Sequence, residues 1–114
     1  MKRDPLIYLH DILDSIKNIE EDTRRISEKE FLNKRIIQQA VVRNLEIIGE
    51  AVKQIPLGFR KHHPDIPWHK IMAMRNRIIH EYFGLKLNVI WQTIKEDLPL
   101  LKKQITEIID NSSQ

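Results

Sequence analysis

The sequence contains no cysteine, and this absence removes several classes of chemistry at once. Disulfide bonds, thiol catalysis and thiolate metal ligands all require a cysteine sulfur. The absence also fits a reducing compartment, where disulfides are rare. Any catalysis by this chain must therefore use other side chains.

Glycine and proline are also scarce, at three and five of 114 residues. These residues supply the tight turns of β-rich folds, so their scarcity favours long helices. No stretch of about 20 apolar residues occurs, so no membrane span is predicted. Residues 1–9 lack the apolar run of a signal peptide. We therefore expect a cytoplasmic protein with a single domain over residues 1–114.

The formal net charge is +3, and positive charge is concentrated in one segment. Residues 60–80 contain five Lys or Arg and one Asp, together with four of the five histidines. A zone of this kind suits a polyanion such as RNA. The same charges also suit an ordinary solvated helix surface, so charge alone leaves both interpretations open.

Apolar residues recur at helical spacing, which predicts an all-α, up-and-down bundle of four to five helices. The first helix is predicted over residues 5–18, with Asp4 as its N-cap. The second is predicted as one long helix over residues 27–55. It begins with a capping box in which Ser27 and Glu30 cap each other's backbone amides.

The second half of the chain predicts two further helices. One begins near residue 67 and ends near residue 83, where Gly84 is a natural C-terminal stop. The last covers residues 89–109, with Asn88 as its N-cap. Pro99 lies inside this last pattern and is expected to kink or split the helix, because proline cannot continue the hydrogen-bond ladder.

The third helix carries the residues best suited to chemistry, which are Arg75, Asn76, His80 and Tyr82. Cleaving RNA without a metal requires a base for the 2′-hydroxyl, an acid for the leaving 5′-oxygen and a cation for the phosphorane. Histidine suits both proton transfers because its unperturbed pKa is about 6.5. Arginine suits the phosphate because its fork donates two parallel hydrogen bonds. A tyrosine phenol can donate to phosphate, stack on a base or be modified.

Helix geometry separates two of these residues. At about 100° per residue, Arg75 and His80 lie about 140° apart. Asn76 and His80 lie only about 40° apart, so the Asn76 amide could orient the His80 imidazole. Tyr82 falls about 20° from Arg75. A compact site of Arg75 and His80 thus needs a second copy or a helix end that unwinds at His80. We favour a dimer with its two-fold axis near this helix. The alternative is that all of these are ordinary surface or packing residues.

The second helix contains two further features of interest. Gly49 costs about 1 kcal/mol relative to alanine inside a helix, so it predicts a close helix approach, with the Arg75 helix as the candidate. Arg43, Glu46 and Glu50 share one face. They could form intrahelical ion pairs, or this face could border the active cleft or the dimer seam.

The remaining histidines and aromatic residues give weaker signals. His62 and His63 are adjacent in residues 56–67, which are predicted as a loop or as containing one short helical turn, and they would chelate poorly. His69 adds no acid–histidine pair at helical spacing. We therefore expect neither a metal nor another cofactor. Trp68 and Trp91 are expected to pack in the core or an interface rather than stack on bases.

The motif of the third helix resembles that of the HepT branch of the HEPN superfamily, whose signature is Arg-x4-His-x-Tyr. Arg75, His80 and Tyr82 match this signature. Asn76 follows the arginine, as is typical of HEPN ribonucleases. Residues 43–51, RNLEIIGEA, also look like the family's second-helix signature.

The resemblance extends well beyond these two helices. Residues 67–74, PWHKIMAM, are similar to the family's approach to the motif, and the spacing to Trp91 and Pro99 also fits. The similarity covers about residues 6–109. Asn88 is a departure, since many relatives have an acid there, and it has no expected effect on catalysis.

This resemblance implies a metal-independent endoribonuclease in which Arg75 and His80 are the catalytic pair and Asn76 supports them. Such enzymes leave a 2′,3′-cyclic phosphate and a 5′-hydroxyl. Two protomers would line one cleft with their motifs, and higher assemblies are possible. Three further cations are weaker candidates for binding the RNA: Lys70, Arg77 and Arg43.

The resemblance also implies a regulator. HepT-like proteins act as toxins, with tRNA a known kind of target. Their partner MntA, a minimal nucleotidyltransferase, transfers AMP from ATP to the motif tyrosine, here Tyr82. A bulky anionic group beside Arg75 would block a phosphate-binding cleft. The main alternative is a non-catalytic HEPN subunit that binds nucleotide or substrate for a partner nucleotidyltransferase, and a third reading is an oligomeric scaffold.

Overall fold

The computed structural model describes residues 3–80 and 86–112, except for the side chains of Ile79 and His80. Within these ranges the chain is built of α-helices and one π-helical turn, without a β-strand. The predicted all-α fold is therefore confirmed. None of the described helices combines the length and apolar character that a membrane crossing requires.

The helices follow one another with short connections, and the π turn lies between the last two. In chain order they are α1 Pro5–Thr23, α2 Glu28–Leu32, α3 Arg35–Gln54, α4 Leu57–His62, α5 Trp68–His80, α6 Leu87–Gln92, the π turn Thr93–Asp97 and α7 Leu98–Ser112.

Helix α1 begins as predicted and ends later than predicted. The Asp4 carboxylate accepts a hydrogen bond from the Leu6 amide at 2.9 Å, and a proline occupies the first position of the helix. The helix continues past Asn18 to Thr23 because its core-facing side remains buried through Ile19 and Thr23. The Thr23 hydroxyl donates to the Ile19 carbonyl at 2.7 Å, which satisfies this buried polar group inside the helix.

The capping box at the start of α2 is confirmed. The Ser27 hydroxyl accepts from the Glu30 amide, and the Glu30 carboxylate accepts from the Ser27 amide, both at 3.1 Å. These two bonds satisfy amides that a helix N-terminus otherwise leaves unpaired.

The prediction of one helix over residues 27–55 is wrong, because α2 ends at Leu32 and α3 begins at Arg35. The Asn33 side chain donates to the Lys29 carbonyl at 2.9 Å, and the Gln38 side chain donates to the Phe31 carbonyl at 2.8 Å. These bonds satisfy carbonyls that the break removes from the helical ladder.

The C-terminal region departs from prediction at one cap. Helix α6 has Lys86 as its N-cap, since the Lys86 carbonyl already accepts from the amides of Val89 and Ile90. Asn88 therefore lies inside the first turn, and its predicted role as N-cap is wrong. The predicted end of α5 near residue 83, with Gly84 as its stop, lies outside the described residues.

The interruption expected near Pro99 is confirmed, and it takes the form of the π turn Thr93–Asp97. Pro99 falls in the first turn of α7, where its missing amide hydrogen is tolerated. The wider turn accommodates the proline while the chain remains helical on both sides.

Helix α3 lies at the centre of the bundle, with α1 and α5 packed against it and α7 against α1. The core is made mainly of aliphatic side chains, including Leu9, Ile12, Ile16, Val41, Leu45, Ile48, Val52, Leu101 and Ile105. At the bundle surface, Lys102 of α7 pairs with Glu20 of α1 at 2.9 Å.

Trp68 joins the end of α4 to the start of α5. Its indole ring is buried, and its Nε1 donates to the carbonyls of Arg60 and His63 at 3.1 and 3.0 Å. Trp91 stacks on the core residue Phe31, with ring centroids 5.3 Å apart. Both tryptophans therefore have the packing role that was predicted for them.

Candidate functional site

The candidate site lies where α5 approaches α3. A Cβ added at Gly49 would overlap the Cβ of Arg75, and it would lie 2.5 Å from the Arg75 Cγ and 3.4 Å from its Cα. The prediction that Gly49 marks a close approach of the Arg75 helix is confirmed. The aliphatic stem of Arg75 thus lies directly on the backbone of α3.

The next residue of α3 holds the charged end of Arg75. The Arg75 Nε donates to the Glu50 Oε1 at 2.9 Å, and the Nη2 binds the same oxygen in a short ion pair. The Arg75 side chain is 17% exposed and that of Glu50 is 47% exposed. The pair therefore lies at the boundary between protein and solvent, where charge-assisted hydrogen bonds are stronger than neutral ones.

Asn76 completes the contacts to the guanidinium that the structure describes. The Arg75 Nη1 donates to the Asn76 Oδ1 at 3.1 Å. The predicted contact of Asn76 with the imidazole of His80 lies outside the described residues. The amide is thus placed in the candidate site by a bond to the arginine.

The other two motif residues are described incompletely. The backbone of α5 is helical through His80, but the His80 side chain and the whole of Tyr82 lie outside the described residues. The helical backbone keeps the separation of about 140° between Arg75 and His80 that led us to expect a second copy. The pairing of these residues stays a prediction.

The three weaker candidate cations are placed differently. Arg43 pairs with Glu46 at 3.5 Å and lies two turns before Glu50 on the same stripe of α3. Lys70 and Arg77 line one groove beside the π turn, and Lys70 pairs there with Asp97 at 3.2 Å. Lys70 and Arg77 lie 140° to 160° around the axis of α5 from Arg75, which is nearly the opposite side of the helix. The structure therefore does not bring them into the same site as Arg75.

Glu50 is the site residue that the sequence interpretation did not assign to Arg75. It was considered only as part of a charged face that could border a cleft. A carboxylate that directly follows a glycine in the middle of a helix is the signal that could have found it, because the glycine marks where the neighbouring helix comes close.

The described residues contain no group of three or more His, Asp or Glu side chains placed to hold a metal ion. His63, one of the candidate histidines, packs its ring against Phe59 with centroids 4.8 Å apart. The chemical groups of the described site are therefore a guanidinium, a carboxylate and an amide.

Comparisons with known proteins agree with one another. The family model described as Ribonuclease HepT-like matches residues 12–108. A protein of Thermococcus cleftensis, named as a probable ribonuclease HepT, is 48% identical over 108 residues, which cover 95% of this chain and 98% of the relative. A protein of Methanocaldococcus jannaschii, named as a candidate RNase, is 43% identical over 91% of this chain and 95% of its own length. No solved structure gives a significant match.

Proposed function

Because the chain belongs to the HepT-like ribonuclease family, we propose that it is a metal-independent endoribonuclease in which Arg75 and His80 are the catalytic pair. The observation that carries the proposal is the fixed guanidinium of Arg75 at the protein surface, held by Glu50 and Asn76. Arginine held in this way suits a phosphate, because it stays charged and donates parallel hydrogen bonds. The net positive charge of residues 60–80 favours an RNA substrate.

In the proposed reaction, the 2′-oxygen of the RNA attacks the adjacent phosphorus. A bond forms between phosphorus and the 2′-oxygen, and the bond from phosphorus to the 5′-oxygen breaks. His80 accepts the 2′-hydroxyl proton and returns a proton to the leaving 5′-oxygen. Arg75 stabilises the negative charge that develops on the phosphorane. The products are a 2′,3′-cyclic phosphate and a 5′-hydroxyl, and Asn76 supports the site through its bond to Arg75.

We propose that the active form is a homodimer. Arg75 and His80 lie on different sides of α5, so one copy alone presents them in different directions. A two-fold axis near α5 would place His80 of one copy beside Arg75 of the other. The cleft between the two copies would then hold the RNA, with Arg43 at its edge on the same stripe as Glu50.

The regulation proposed for this site uses Tyr82. A partner nucleotidyltransferase of the MntA kind would transfer AMP from ATP to the phenol oxygen, which attacks the α-phosphorus. Pyrophosphate leaves, and the phenol proton passes to solvent. The added phosphate and nucleoside would occupy the cleft near Arg75 and neutralise it. The protein would thus be the toxin of a toxin–antitoxin pair, with tRNA as the proposed target.

The test is cleavage of total tRNA in EDTA by the wild-type chain, Arg75→Ala and His80→Ala. We expect wild type to produce fragments with 2′,3′-cyclic phosphate and 5′-hydroxyl ends, and both variants to lose at least about 100-fold in rate, as for removal of a principal catalytic group. His62→Ala, which changes an exposed histidine on α4, is the matched control and should cleave like wild type.

A mixture of the two inactive variants tests the dimeric site. Heterodimers of Arg75→Ala with His80→Ala would rebuild one intact pair if the site joins residues of two copies, so cleavage should return on mixing. Wild type that is inert, while intact mass shows no AMP on Tyr82, would contradict the nuclease and favour the non-catalytic subunit.

A further inference from the structure

We infer that Glu50 is a positioning residue, which orients the Arg75 guanidinium so that its two terminal nitrogens, Nη1 and Nη2, face the scissile phosphate. This inference rests on the proposed ribonuclease function. It concerns a residue that does not itself touch the RNA. Its effect on the reaction would pass entirely through Arg75.

The hydrogen bonds of the guanidinium show which of its donors are left for a ligand. A guanidinium has five N–H donors. Glu50 takes the Nε–H and one N–H of Nη2, and Asn76 takes one N–H of Nη1. Among the described side chains, which do not include those of Ile79 and His80, no further group accepts a hydrogen bond from Nη1 or Nη2. One N–H of Nη1 and one of Nη2 are therefore left for a ligand, and two such donors suit two oxygens of one phosphate.

Packing also restricts the aliphatic stem of Arg75, at the other end of the side chain from the guanidinium. The stem of Arg75 rests on the backbone at Gly49, where even one methyl group would overlap it. Glu50 follows Gly49 on the same helix, so one rigid element sets both the position of the stem and the orientation of the charged end. Sites held by regular helices keep their geometry more precisely defined than sites on loops.

The sign of the charge on Glu50 makes its role measurable. A carboxylate next to a phosphate site repels the RNA, so Glu50 lowers affinity for the substrate. Its benefit must lie in alignment, which affects the rate of the chemical step. Removing the carboxylate should therefore lower kcat while leaving KM unchanged or lower. Removing a residue that contributed only to folding would not lower kcat while leaving KM unchanged or lower.

The experiment compares wild type, Glu50→Ala and Glu50→Gln in tRNA cleavage in EDTA, with kcat and KM measured separately. We expect Glu50→Ala to lower kcat by about 10-fold or more while KM stays unchanged or falls. Glu50→Gln keeps an oxygen that can accept from both Nε and Nη2. It should restore kcat to within about 3-fold of wild type.

Glu20→Ala is the matched control. It also removes a carboxylate from an interhelical pair, since Glu20 binds Lys102 at 2.9 Å, and its exposure of 41% is close to the 47% of Glu50. It lies on α1, away from Arg75, and should leave both kinetic constants unchanged. Thermal unfolding of each variant by circular dichroism separates a loss of folded protein from a loss of rate.

Three results would overturn the inference. One is a kcat of Glu50→Ala within about 3-fold of wild type, and another is a kcat that rises. The third is an equal loss in Glu20→Ala, which would indicate a general effect on the fold. In each case wild type still cleaves RNA and the proposed function stands. Inert wild-type protein would instead overturn the proposed function, and this inference with it.

Discussion

The two sides of α5 are packed in opposite ways. Where Arg75 meets α3 there is no spare volume, because Gly49 leaves only enough room for the stem of Arg75. Toward the π turn and α7 there is a largely apolar cavity of about 320 Å³, lined in part by Leu45, Met74 and Leu101. One helix therefore has a close contact on one side and unfilled space on the other.

This difference shows how the fold positions the candidate site. Protein interiors are close-packed, so a contact without free volume holds a side chain in one place. A cavity lets its lining side chains shift at little cost, and it is the wrong place to position a charge. The arginine lies on the close-packed side. Three predictions test the comparison between the two sides.

The largest expected effect follows from Arg75→Lys. Lysine keeps the positive charge and an aliphatic stem over Gly49, but it lacks the planar fork that Glu50 and Asn76 hold. We expect the cleavage rate to fall about 100-fold while the free energy of unfolding changes by less than about 1 kcal/mol. Single-turnover cleavage and thermal unfolding measure the two quantities. If the lysine variant cleaved RNA at the wild-type rate, the close-packed side would position only a positive charge and not a planar guanidinium.

The next effect follows from adding one methyl group on the close-packed side, with Gly49→Ala. Overpacking costs about 1–3 kcal/mol, and the higher helix propensity of alanine returns up to about 1 kcal/mol. With the full return from helix propensity, we expect a net loss of up to about 2 kcal/mol in chemical denaturation, together with slower cleavage because Arg75 is displaced.

Gly58→Ala is the matched control for this change. Gly58 lies on α4, and a Cβ added there would meet no atom within 4 Å. It should stabilise the protein by up to about 1 kcal/mol through helix propensity alone. Equal stabilisation by both alanine variants would contradict the close contact between α3 and α5.

The smallest effect is expected on the side with the cavity. Met74→Phe adds volume next to the empty space, so it should change the free energy of unfolding by between zero and about 1 kcal/mol in the stabilising direction. Ile78→Phe adds volume at a core position of α5 that is 1% exposed, and it should cost about 1–3 kcal/mol. A large loss in Met74→Phe, measured by the same denaturation, would mean that the cavity does not accept a larger side chain.

Local features of the fold could be read from the sequence. The N-cap at Asp4 and the capping box of Ser27 and Glu30 depend on residues within four positions of one another. Interactions of this kind are encoded in a short segment and need no knowledge of the rest of the chain. Gly49 could be interpreted in a similar way. A glycine inside a helix lowers stability relative to alanine, and the close approach of a neighbouring helix commonly explains its presence.

The break between α2 and α3 could not be read in the same way. Apolar spacing continues across Asn33, since residues on both sides of the break face one core. The pattern reports which residues are buried, and it does not report whether the backbone between them stays helical. The bonds that stabilise the break, from Asn33 and Gln38 to backbone carbonyls, depend on where α2 and α3 meet.

The sequence by itself determined the helical class, the starts of α1 and α2 and the identity of the motif residues, because each of these depends on residue type and short-range spacing. Only the tertiary structure decided that Glu50 binds Arg75, although the two residues are 25 positions apart. Helical periodicity states which side of its own helix each residue occupies. Which side faces a neighbouring helix, and at what height, depends on how the whole core packs.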